Sequence, residues 1–173
     1  MGEGGKGVLQ LISDFDFLIV AAGAQKPRTL PIPGRERLVT ALDFLADAKQ
    51  DKVSPGKRVV IIGAGNVGCD VATEAARLGA ESLTLLDVQE PASFGKERED
   101  AEAAGAVFRW PGFTRQVTDQ GVELETGELI PDDTVVVSIG DAPDLEFLPE
   151  DVATERGFVT VNGDYQTSNP KVY

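Results

Sequence analysis

The stretch Arg58-Val59-Val60-Ile61-Ile62-Gly63-Ala64-Gly65-Asn66-Val67-Gly68 restricts the possible folds more than any other part of this chain. An apolar strand runs directly into a Gly-x-Gly-x-x-Gly turn, and a helical pattern from Cys69 to Leu78 follows. A second strand, Leu83-Thr84-Leu85-Leu86, ends on an acid, Asp87, nineteen residues beyond Gly68. In such a unit Gly63 allows the tight turn, Gly65 lets a pyrophosphate approach the backbone, and Gly68 lets the helix pack closely. The helix N-terminus offers unpaired N–H groups and a partial positive charge to phosphates. A carboxylate at the position of Asp87 can accept hydrogen bonds from a ribose. The candidate binding residues are therefore Gly63, Ala64, Gly65, Asn66, Val67, Gly68 and Asp87, with a dinucleotide as the implied ligand.

Composition removes several other chemistries. The chain has one cysteine and no histidine. It can form no internal disulfide, no Cys-x-x-Cys redox pair, no Cys/His zinc site and no Ser-His-Asp triad. No catalytic side chain and no metal site is expected, so any chemistry must come from a bound cofactor. Sixteen basic and twenty-nine acidic side chains give a net charge of −13, which argues against nucleic-acid binding. There is no apolar run of the ~18 residues that a membrane span needs. The start, Met1 to Gly7, has no secretory apolar core. A cytoplasmic protein without membrane or nucleic-acid partners is expected.

The rest of the chain reads as alternating strands and helices. Phe15 to Ala22 has a buried-strand pattern, followed by a proline- and glycine-rich connection through Gly34. Thr40 to Lys49 has helical spacing with Thr40 as its cap, and Val67, Val71, Ala75 and Leu78 form one stripe that stops at Gly79. Ser93 is placed as the cap of a helix running through Ala104. Three antiparallel strands are expected next, at Ala106–Trp110, Phe113–Thr118 and Val122–Glu125. Asp133–Ile139 is a continuous apolar strand ending at Gly140, where a ligand could approach closely, so Gly140 joins the candidate residues. Phe158–Val161 and Tyr165–Thr167 suggest a hairpin around Asn162-Gly163. The runs Glu97-Arg98-Glu99-Asp100 and Asp132-Asp133 read as solvated faces, and Cys69 as a small packing residue. Alternating strands and helices imply a parallel sheet with right-handed crossovers. The fold class is α/β: a Rossmann-like, three-layer domain with a parallel sheet, helices on one face and a small antiparallel meander on the other.

This order resembles the NAD(P)-binding domain of flavoproteins with two dinucleotide-binding domains, above all the glutamate synthase small subunit and its adrenodoxin-reductase-like relatives. Gly63 through Ala72 is similar to their Gly-x-Gly-Asn-Val-Ala-x-Asp-x-Ala motif. Asp16 to Ala24 followed by Pro31-Ile32-Pro33-Gly34 resembles the segment where those enzymes leave the FAD domain, and Asp133 to Gly140 their second glycine-ended strand. Thr167 to Tyr173 resembles the segment that leads back to the FAD site. The resemblance implies an excised domain, with 1–34 a leader from the edge of an FAD domain, 35–150 the NAD(P)-binding domain, and 151–173 a hairpin returning toward the FAD domain. It implies hydride passage between NAD(P)H and a flavin, with FAD and iron–sulfur clusters outside this chain, and a ferredoxin or iron–sulfur subunit as partner. Those relatives carry Tyr-Arg-Arg where this chain has Asp87-Val88-Gln89, so NAD is expected over NADP, unless Lys96 or Arg98 swings in. The competing expectations are a regulatory module that senses NAD without hydride transfer, and a thiol-disulfide reductase whose cysteine pair lies elsewhere.

Overall fold

The computed structural model describes residues 7–173, so the reading of the extreme amino terminus falls almost wholly outside it. In chain order the elements begin with α1 (Val8–Asp14), β1 (Lys26–Pro27), β2 (Leu38–Thr40), α2 (Ala41–Ala48), β3 (Arg58–Ile62), α3 (Asn66–Arg77) and β4 (Ser82–Leu86). They continue with α4 (Gly95–Ala103), β5 (Val107–Arg109), β6 (Thr114–Thr118), β7 (Gly121–Leu124), β8 (Leu129–Ile130) and β9 (Thr134–Val137). The chain ends with β10 (Asp141–Ala142), β11 (Thr154–Glu155) and β12 (Phe158–Val159). Two units separate: Pro27–Gly140 is one, and the chain up to Lys26 together with Asp141–Tyr173 is the other.

The Pro27–Gly140 unit is built on a five-stranded parallel sheet in the order β2-β9-β3-β4-β5. Side chains alternate across its strands with period two. Val59, Ile61, Leu83, Leu85 and Val136 pack with Phe44, Val71, Ala72 and Ala75 of the helices. Val60, Ile62, Leu86 and Val135 pack instead with Val117, Val122, Leu124 and Ile130 of an antiparallel sheet, β6-β7-β8. Each such buried aliphatic side chain is worth about 1.5–3 kcal/mol. The result is three layers, helices over sheet over meander, as the sequence pattern predicts. Thr40 caps α2 as expected, its hydroxyl accepting from the Asp43 amide at 3.1 Å.

Four local expectations are corrected. Phe15–Ala22 is not a buried strand: Phe15, Phe17 and Ile19 are more than half exposed, and Leu18 makes only an isolated bridge to Val172. An apolar run becomes a buried strand only where neighbours cover both faces; here Phe17 meets the Tyr173 ring edge-on, yet Phe15, Phe17 and Ile19 stay largely in solvent. Residues 107–109 do not begin the meander but extend the parallel sheet, with Phe108 beside Leu85, and β8 completes the meander. Ser93 does not cap α4, which is preceded by Phe94 without a side-chain cap; its hydroxyl accepts from Arg98 at 3.2 Å instead. The tail hairpin turns earlier, pairing Glu155 with Phe158. Arg156 and Gly157 both take positive φ there, the conformation of a tight two-residue hairpin turn. Asn162-Gly163 forms a local loop in which the Asn162 side chain accepts from the amides of Asp164 and Gln166.

Asp133 is also more than a solvated acid. Its carboxylate accepts from the amides of Lys57 and Arg58 at 2.8 and 2.9 Å and from the Arg58 guanidinium at 2.5 Å. It thereby ties together the amino-terminal ends of β3 and β9. The Arg58 guanidinium, followed by the two amides, lowers its pKa to about 2. A depressed carboxylate pKa adds stability above the unfolded-state value of ~3.9, and that contribution is lost as pH falls toward the folded value. Urea midpoints of wild type and Asp133→Asn measured between pH 7 and pH 2.5 are expected to converge as pH falls. A gap that stays constant with pH would contradict this role.

Candidate functional site

The site is built where β3 ends and the chain reverses into α3. Gly63 has φ of 109°, and a Cβ on it would lie 2.1 Å from the Ser138 carbonyl oxygen. The ends of the adjacent strands β3 and β9 could not come this close with any other residue. Their approach is fixed by the Ser138 amide donating to the Ile62 carbonyl at 2.7 Å. Because β4 lies on one side of β3 and β9 on the other, a crevice opens at the carboxyl ends of the strands, the usual ligand position in an open parallel sheet. Gly68 packs the helix onto the turn: a Cβ there would lie 2.2 Å from the Gly63 carbonyl oxygen.

Gly65 differs from both. Its backbone is extended, and a Cβ on it would meet no protein atom within 4 Å. Gly65 precedes α3, and Asn66, Val67 and Gly68 carry the first amides of that helix, which have no carbonyl partner within it. No acid lies in the first turn to cancel their positive end. Val67 is half exposed, while Ala64 is fully buried.

Asp87 is joined to this turn. One carboxylate oxygen accepts from the Ala64 amide at 2.9 Å, and the other faces the Gln89 amide at 3.4 Å. The first bond braces the glycine turn. The second is long, and that oxygen keeps capacity for a further donor.

A cavity of about 470 Å³ brings Gly63, Gly65 and Asp87 together with Val88, Gln89, Ser138 and Ile139. Phe113, Thr114 and Glu125, from the meander and the turn before it, also line it, as does Leu30. The sequence reading missed these meander residues. They carry no motif and reach the cavity only through packing of one layer on another. The Thr114 hydroxyl is buried there without a hydrogen-bond partner. Gly140 lies just beyond the cavity-lining pair Ser138-Ile139; it has φ of 84° and is exposed, and its carbonyl accepts from the Arg28 amide at 3.1 Å.

Neighbouring cations are already engaged. Lys96 pairs with Asp100. Arg98 donates to Glu102 at 2.5 Å and stacks 3.6 Å from the centre of the Phe108 ring, so this stretch is not wholly a solvated face. Arg109 makes a forked pair with Glu128 at 2.9 and 2.6 Å. Burial pushes the Cys69 thiol pKa up, which keeps it protonated and inert. Burial, then Glu97 and Glu74, also raises the Asp70 carboxyl.

Residues 9–173 match the family described as pyridine nucleotide-disulphide oxidoreductase. The chain belongs to that family. It is 29% identical to a putative glutamate synthase [NADPH] small chain of Cereibacter sphaeroides, over 91% of this chain and 49% of that protein. It is 28% identical to the NADP(+)-dependent formate dehydrogenase subunit beta of Moorella thermoacetica, over 95% of this chain and 28% of that protein. Among solved structures, Fdr9 is 32% identical with a TM-score of 0.66, over 92% of this chain and 41% of that one. T. acidophilum thioredoxin reductase has a TM-score of 0.75 at 24% identity, over 91% of this chain and 55% of that one, a likeness of fold. This family member thus spans between about a quarter and a half of the curated relatives named here. No described helix is long and apolar enough to cross a membrane.

Proposed function

We propose that Pro27–Gly140 is the NAD(H)-binding domain of a longer, cytoplasmic FAD-dependent oxidoreductase, related in role to the glutamate synthase small chain. The remaining unit is read as the edge of its FAD-binding portion, with an iron–sulfur protein such as a ferredoxin as electron partner. The observation that carries this reading is Gly65. Gly63 and Gly68 are explained by the protein's own backbone, whereas Gly65 borders empty space above the first amides of α3. A bound pyrophosphate gives that glycine its reason, and the cradle fits it. When bound, the nicotinamide supplies a hydride from its C4 that a flavin accepts at N5. The chain's own residues bind and orient: the amides of Gly65, Asn66 and Val67 face the phosphates, and Asp87 receives the adenosine ribose. Gly140 stands near the end where the nicotinamide would leave the sheet. None of these residues needs to exchange a proton with the ligand.

Asp87 also favours NAD over NADP. A carboxylate about 4 Å from a phosphate charge costs several kcal/mol at an effective dielectric of ~20. The neighbouring Lys96, Arg98 and Arg109 already have carboxylate partners. Calorimetric titration is expected to give an NADH affinity at least about tenfold above that for NADPH, a gap of ~1.4 kcal/mol or more. Tighter NADPH binding would overturn the preference, and no heat with either nucleotide would overturn the reading itself.

A further inference from the structure

Asn66 opens α3, yet its side chain neither caps that helix nor is among the groups lining the cavity. Its Oδ1 accepts from the Phe94 amide at 2.9 Å, and its Nδ2 donates to Glu97 Oε2 at 3.4 Å. Phe94 closes the segment 88–94, which leaves the carboxyl end of β4 and carries Val88 and Ala92 to the cavity wall. That segment has no helix or strand, and Ser93 is tied to Arg98 at 3.2 Å. Phe94 at its end is 73% exposed, and α4 starts without a side-chain cap of its own. One amide of the α4 start, left without an intrahelical partner, is therefore satisfied from another helix.

We propose that Asn66 is a positioning residue that latches the 88–94 segment against the start of α3 and so shapes the adenosine side of the cavity. This rests on the dinucleotide reading above. The amide that belongs to the phosphate cradle and the side chain that fixes the adenosine wall sit on one residue. Phosphate binding and adenosine binding are thereby coupled through the short path from Asn66 to Phe94. A side chain touching the phosphates would act on phosphate-bearing ligands, whereas a latch acts on the nucleoside.

The test uses adenosine, which has no phosphate, and hydrogen exchange at the Phe94 amide, both followed by nuclear magnetic resonance. Loss of one hydrogen bond worth ~1 kcal/mol corresponds to about fivefold. Asn66→Ala is expected to speed Phe94 exchange and to weaken adenosine by that factor, and NADH by at least as much. Asn66→Asp combined with Glu97→Gln keeps an acceptor oxygen for the Phe94 amide without setting two carboxylates together, so Phe94 protection and adenosine affinity should stay near wild type even where the changed charge weakens NADH. It also covers the case in which the alanine variant fails to fold. Unchanged Phe94 exchange, or faster exchange with wild-type adenosine affinity, would overturn the latch while leaving the NADH site standing. A wild-type protein that binds neither adenosine nor NADH would overturn both.

Discussion

Gly65→Ala is expected to abolish measurable nucleotide binding while leaving the protein as stable as wild type. The added methyl points into space with no protein atom within 4 Å, and the backbone there is extended and open to any residue. Nothing in the free protein therefore resists the substitution. The loss falls on the ligand, because a methyl group over the first amides of α3 keeps phosphate oxygens from hydrogen-bond distance. Two or three such charge-assisted bonds at about 1.5–3 kcal/mol each place the loss near a thousandfold. Thermal unfolding and NADH calorimetry on the same preparation separate the two effects. A variant that unfolds early, or one that binds NADH normally, would contradict this assignment.

Gly68→Ala should do the opposite, damaging the fold before any ligand is added. Its Cβ would lie 2.2 Å from the Gly63 carbonyl oxygen, a backbone atom held in the turn. Relief requires α3 to move off the sheet, disturbing Cys69, Val71 and Ala72, all fully buried. Overpacking of this kind costs about 1–3 kcal/mol and more where backbone must shift. For a chain of this size, each kcal/mol lowers Tm by about 2–4 °C. A fall of roughly 10 °C is expected, and excess NADH should recover only part of it. A wild-type Tm would show that the helix stands further from the turn than described.

The pair of glycines also shows what the sequence could reveal. Local order was legible because β3, the turn, α3 and β4 are contiguous and each obeys its own period. Asp87 was found by its distance along the chain, and its bond to the Ala64 amide gives that distance a structural cause. Phe113, Thr114 and Glu125 were not legible, since they meet the cavity through packing between layers. Phe108 was misassigned for a related reason: a three-residue strand shows no preference for a parallel or an antiparallel neighbour. Its place was decided by α4, whose crossover returns the chain to the sheet edge beside β4. The exposed aromatic run Phe15-Asp16-Phe17 followed by Leu18-Ile19 read as buried because apolarity signals a need for cover, not its presence. Asn66 lies between these cases, since its motif position was visible but its bond to Phe94 was not.

The central claim is that a dinucleotide's phosphates rest on the amides at the start of α3. Nitrogen-15 labelled protein titrated with NADH tests it residue by residue. The largest amide shifts should fall at Gly65, Asn66 and Val67, with a second group at Asp87 and Val88, and ADP-ribose should reproduce both. Saturable NADH binding that leaves the Gly65–Val67 amides unmoved would contradict the account.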